Sequence, residues 1–124
     1  MPKLVLPILF GAVLGLAALP ASAGDILAKG SFVGASDHET SGSVHVTADS
    51  VDFQDDFSLD GAPDPKVGFG KDGTYDPATT LSALNANSGA QSYALPDDID
   101  LDQYNEVYVW CEKFAVPLGV AKLQ

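Results

Sequence analysis

The chain has 124 residues, 17 acidic side chains, six basic ones and a formal net charge of −11. That length suits one domain, and the acidic surface repels phosphate backbones, so nucleic acid is excluded as a natural partner. A single cysteine, Cys111, excludes an intramolecular disulfide.

Met1-Pro2-Lys3 is a short basic head, and Leu4 to Leu19 is apolar or glycine throughout. Pro20 ends that run, and Ala21-Ser22-Ala23 places small residues where a signal peptidase needs them. The run has 16 residues and contains Pro7, Gly11 and Gly15, whereas a spanning helix needs about 20. Residues 1–23 therefore read as a signal peptide, cleaved between Ala23 and Gly24, and the mature protein as periplasmic or secreted with no membrane anchor. The mature domain is expected over residues 24–124, where five lysines face 17 acids, a formal charge of −12.

Ile26 to Val33 reads as a first strand, interrupted by Gly30, and Gly34 to Gly42 as a polar loop. Val44, Val46 and Ala48 alternate with Ser43, His45 and Thr47, the period of a half-buried strand. After a turn at Asp49-Ser50 the alternation resumes through Val51, Phe53, Phe57 and Leu59, with Asp55 marking a bulge or break. Gly61-Ala62-Pro63-Asp64-Pro65 is a turn. Val67 and Phe69 predict a short strand weakened by Gly68 and Gly70, followed by a loop from Lys71 to Pro77.

Thr79 to Ala86 fits a strand or a helical turn equally well. Asn87-Ser88-Gly89 is a turn, Gln91 to Leu95 a strand, and Asp97 to Tyr104 a short helical turn. Val107, Val109 and Cys111 point one way and Tyr108 and Trp110 the other, so this strand belongs inside a sheet covered on both faces. Phe114, Val116, Leu118 and Val120 form one face of a last strand, which Pro117 assigns to an edge or a bulge. Short strands separated by Gly, Pro and Asp turns predict an all-β fold, a single antiparallel sandwich or partly open barrel.

Cys111 is the first candidate for chemistry. As a buried residue it is a small hydrophobe; as a functional one it is a redox or metal-binding thiol, which needs access and a suitable neighbour. Lys113, two residues on, would share its face if the strand continued. His38 lies in the polar loop beside Asp37 and Glu39 and is a candidate ligand with Cys111; His45 alternates with valines and is a weaker one. A blue-copper site needs one Cys, two His and an axial ligand, but no histidine follows Cys111 at short spacing. No haem-attachment or dithiol motif is present, so the chain carries no cofactor signature of its own.

Asp98, Asp100 and Asp102 resemble the start of a calcium loop, but Gln103 and Val109 stand where that loop requires glycine and glutamate. Asp97 with Asp98, or Asp60 with Asp64, could hold a cation loosely. No nucleophile elbow or phosphate cradle is found, and no stand-alone enzyme is expected.

One set of residues carries a resemblance over most of the mature chain. It begins with Gly30-Ser31-Phe32 and His38-Glu39-Thr40-Ser41-Gly42, and continues through Phe57, Gly61-Ala62-Pro63-Asp64, Gly89-Ala90-Gln91-Ser92-Tyr93, Leu95-Pro96 and Tyr104. It ends with Val109-Trp110-Cys111-Glu112-Lys113-Phe114 and Gly119-Val120-Ala121-Lys122-Leu123. This pattern resembles the DM-thirteen domain, or "electron transfer DM", family. The resemblance implies an extracytoplasmic β-sandwich, often joined to haem- or sugar-binding domains, in which Cys111 is the redox-active residue and the His-x-x-x-Gly loop contributes His38. The partner would be a separate redox protein. The competing reading is a non-catalytic module that binds a protein, glycan or divalent cation through its loops.

Overall fold

The computed structural model describes residues 24–124; the leader expected over residues 1–23 lies outside them. The described strands are β1 (Ala28–Gly34), β2 (Thr40–Ser41), β3 (Ser43–Val46), β4 (Ser50–Phe53), β5 (Ser58–Leu59), β6 (Pro65–Lys71), β7 (Thr74–Tyr75), β8 (Ser82–Ala83), β9 (Gln91–Ala94), β10 (Glu106–Cys111) and β11 (Val116–Lys122). The only helical elements among the described residues are 3-10 turns at Pro77–Thr79 and Leu101–Gln103.

Nine strands form one antiparallel sheet in the order β7-β6-β10-β11-β1-β3-β4-β9, with β8 also paired to β6; β2 and β5 form a separate ribbon. The sheet curls strongly into a half-barrel, the more open of the two predicted all-β forms. Its inner face is packed with side chains. Phe53 lies at the centre of an aromatic group, with ring centroids 5.0 Å from Phe32, 4.6 Å from Phe57 and 5.3 Å from Tyr93.

The period-two segments form strands as expected. Val44, Val46, Val51 and Phe53 are buried while their neighbours are only partly so. The break near Asp55 is a turn, because the Asp56 carboxylate accepts from both the backbone N–H (2.8 Å) and the hydroxyl (3.0 Å) of Ser43. Those bonds hold the Asp56 carboxyl below its usual range, chiefly through the Ser43 backbone.

Four local expectations are corrected, and one open alternative is settled. The first strand begins at Ala28, leaving Ile26 and Leu27 exposed. The Gly34–Gly42 loop contains β2, paired to β5 through Thr40 and Leu59. The segment after Lys71 is a hairpin: Lys71 pairs with Thr74, and Asp72 and Gly73 both have positive φ (51° and 89°), as a tight two-residue turn requires. Residues 79–86 combine the end of one 3-10 turn with the short strand β8.

The fourth correction concerns the face pattern of β11, an interior strand between β10 and β1 in which Pro117 takes the bulge alternative. Its register slips at a bulge, where Val109 faces Gly119 and Trp110 faces Pro117. The missing proline donor falls at this irregularity. The slip also changes the face pattern, so that Leu118 and Ala121 are buried, Val120 is half-buried on the opposite face and Phe114 is exposed in the preceding turn.

Strand β6 is longer than its glycines suggested. Gly68 and Gly70 are buried, and they leave room for aromatic rings on the outer face. A methyl group at Gly68 would run into the Tyr75 ring, and one at Gly70 into Tyr108 and the Thr74 carbonyl. Overpacking of this kind typically costs about 1–3 kcal/mol. Gly70→Ala should therefore lower the urea midpoint of unfolding without changing the fold; an unchanged midpoint would mean that the rings yield freely.

Candidate functional site

Cys111 ends the central strand β10. Its register partners are Pro65 on β6 and Val116 on β11. It is 1% exposed and belongs to the apolar core with Val107 and Val109. Because β10 stops there, Lys113 does not continue on the same face. It lies in the following turn, exposed, with its Nζ 5.5 Å from the Phe114 ring centroid. The charged neighbour expected for the sulfur is not supplied by Lys113.

His38 is placed elsewhere. It follows the turn at Ser36-Asp37, where both residues have positive φ, and its backbone N–H bonds the Ala35 carbonyl at 3.0 Å. Its Nδ1 lies 2.9 Å from Asp60 Oδ1. A carboxylate only accepts, so that nitrogen donates. Asp60 also accepts from the Glu39 backbone N–H at 3.1 Å. The His38 bond, followed by that of Glu39, holds the Asp60 carboxyl below its ordinary range. His38 thus fastens the β1–β2 loop to the end of β5.

His45 pairs with Lys29 and Asp52 on neighbouring strands. No group of three or more His, Cys, Asp or Glu side chains among the described residues is placed to hold a metal ion. Three of the acids considered for a cation have other partners. Asp64 lies 3.2 Å from Lys66 Nζ, Asp60 serves His38, and Asp100 caps the 3-10 turn at Leu101–Gln103.

The family model described as electron transfer DM13 matches residues 31–123, nearly the whole described chain. The chain belongs to the DM13 family. No curated protein and no solved structure gave a significant match.

Two features of this DM13 domain were not anticipated. The first is an aromatic group on the outer face of β10. Tyr75 stacks on Trp110 with centroids 4.5 Å apart and planes 13° from parallel, and lies 5.3 Å from Tyr108. The signal in the sequence was the alternation of Gly68 and Gly70, since glycines recurring on one strand face mark a close approach by something large.

The second is an open groove of about 960 Å³ across the outer face of β3, β1, β11 and β10. Glu106 and Tyr108 line it from β10. Glu106 is 4% exposed; its carboxylate accepts from the Gly73 N–H at 2.9 Å and from the Tyr108 hydroxyl at 3.2 Å. The β6–β7 hairpin turn thereby supplies the donor that keeps a buried acid satisfied. Burial, and then the Glu106 charge, push the Tyr108 phenol up to about 12.

A phenol that holds its proton more tightly when folded adds stability that is fully present below its ordinary value near 10 and is lost as pH rises toward about 12. Ultraviolet titration should therefore show a tyrosine ionising well after an exposed phenol. Glu106→Gln should lower that late step yet leave it above the ordinary value, because burial is the larger cause. Loss of the late step altogether in this variant would assign it to charge instead.

Proposed function

We propose that this DM13 domain is exported, with its leader removed between Ala23 and Gly24, and serves as an electron-transfer accessory to a separate redox partner, with Cys111 as the redox residue. The family match supports the electron-transfer reading. Burial denies Cys111 the direct access a reactive thiol needs, so its role rests on the family match and on a route through Trp110, the adjacent part-exposed indole on the opposite face, stacked on Tyr75. A buried thiol cannot present itself for disulfide exchange with a partner unless the core opens. The electron must then pass through the protein to a docked oxidant, and Trp110 is the neighbouring ring that links the Cys111 backbone to the surface.

Two measurements test this. Intact mass of the protein recovered after export should correspond to a chain starting at Gly24; a mass retaining residues 1–23 would remove the export reading. In the folded protein Cys111 should resist thiol reagents until denaturant is added, yet photogenerated ruthenium(III) tris-bipyridine, a one-electron oxidant strong enough for a thiol, should be reduced to ruthenium(II) as the thiol gives up one electron and its proton and is left as a thiyl radical, read by freeze-quench electron spin resonance. Cys111→Ser should abolish the thiyl signal, and Trp110→Leu should weaken it. A folded wild-type protein that yields only tyrosyl and tryptophanyl radicals would end the redox role of the cysteine.

A second reading, recognition without chemistry, is favoured by the outer-face groove. It differs from the expected arrangement in using a sheet face instead of loops.

A further inference from the structure

The groove has a polarity that strand register creates. Lys29 is cross-paired with His45, and Glu106 with Lys122. Lys29 and Gln124 exchange backbone hydrogen bonds of 3.1 and 2.9 Å. These pairs put Lys29, Lys122 and His45 toward one end. Val33 faces Val120, which in turn faces Tyr108, and Pro117 lies beyond. Val33 is 69% exposed, an unusual state for a valine on an interior strand. The face is thus basic at one end and apolar at the other.

Neither Lys29 nor Lys122 has a carboxylate within 4.0 Å among the described residues, whereas Lys66 has two. Glu106, the one acidic side chain lining the groove, is already engaged by Gly73 and Tyr108. Asp52, across from His45, borders the far side. Two of the five lysines of the mature chain therefore converge on a single concavity in a strongly acidic protein. Such a cleft concentrates the local field and draws counter-charge that the rest of the surface repels.

We propose that the groove binds a small amphipathic carboxylate, with its anionic head between Lys29 and Lys122 and its apolar body along Val33, Val120 and Tyr108. The dimensions agree. Val33 lies four steps along the strand from Lys29, about 13 Å, which suits a medium-length acyl or similarly apolar body. A volume of about 960 Å³ is at the upper end of the range of small-molecule sites. The ligand site lies on the sheet face opposite the Cys111 side chain and makes no use of the thiol.

Decanoate is the probe, titrated into the exported protein and followed by backbone amide NMR shifts. Saturable shifts should centre on Lys29–Val33 and Val120–Lys122. The double variant Lys29→Gln, Lys122→Gln should bind about tenfold more weakly, the loss expected when charge-assisted contacts are removed. Val33→Asp should also weaken binding while the remaining spectrum stays native, and Cys111→Ser should leave binding unchanged, so this inference and the redox reading fail separately. Shifts located elsewhere, equal binding of decanol or decyltrimethylammonium, an unaffected double variant, or binding of a glutamate-rich peptide in place of decanoate would overturn the proposal.

Discussion

Strand β10 has to satisfy two layers at once, and most of the architecture follows from that demand. It runs between β6 and β11, with Val107, Val109 and Cys111 on the core side and Glu106, Tyr108 and Trp110 on the outer side. A strand covered on one face can leave its other side to water. Here Glu106 and Tyr108 are buried on the side away from the core, so that side needs a cover and a hydrogen-bond donor. Both come from the β6–β7 hairpin. Gly68 and Gly70 carry no side chain, so Tyr75 and Tyr108 can lie close to the sheet, and the turn residue Gly73 supplies the N–H for Glu106.

The same hairpin marks the limit of reading the chain locally. Period-two alternation identified β3, β4 and the two-faced character of β10, because in those segments the burial of each side chain is set by its own strand. Strand β6 was underestimated because its glycines weaken an isolated strand yet are required by rings that arrive from β7 and β10. The Asp72-Gly73 pair was a local signal for the tight turn, but without a confident β6 it looked like part of a longer loop. For β11, Pro117 signalled an irregularity correctly. It could not signal the slip that moves Val120 to the outer face, since that depends on the register with β10.

The candidate residues divide in the same way. Cys111 was legible as a member of a buried strand, and its apolar neighbours follow from the alternation of Val107 and Val109. His38 was legible as a loop residue, but its attachment to Asp60 joins positions 22 apart in sequence, and no spacing rule links them. The groove was the least visible feature. Its basic end draws Lys29 from β1, Lys122 from β11 and His45 from β3, residues that look like scattered surface charge until the sheet order brings those strands side by side.

The bulge in β11 connects these observations. Had β11 kept a regular alternation from Val116, the face pattern after Gly119 would be inverted, placing Val120 in the core and Ala121 outside. The slip at Pro117 instead buries Ala121, which faces Phe32 across the β1–β11 pair, and turns Val120 outward between Val33 and Tyr108. The small Ala121 also suits the close approach of β1 and β11, where Gly30 lies against the Lys122 carbonyl and the Ala121 side chain. Lys122 then falls on the outer face beside Ser31 and Glu106 by the same register. One extra residue in one strand therefore fits the core to a close strand contact and assembles the amphipathic outer face, so removing the bulge would disturb packing and the groove together.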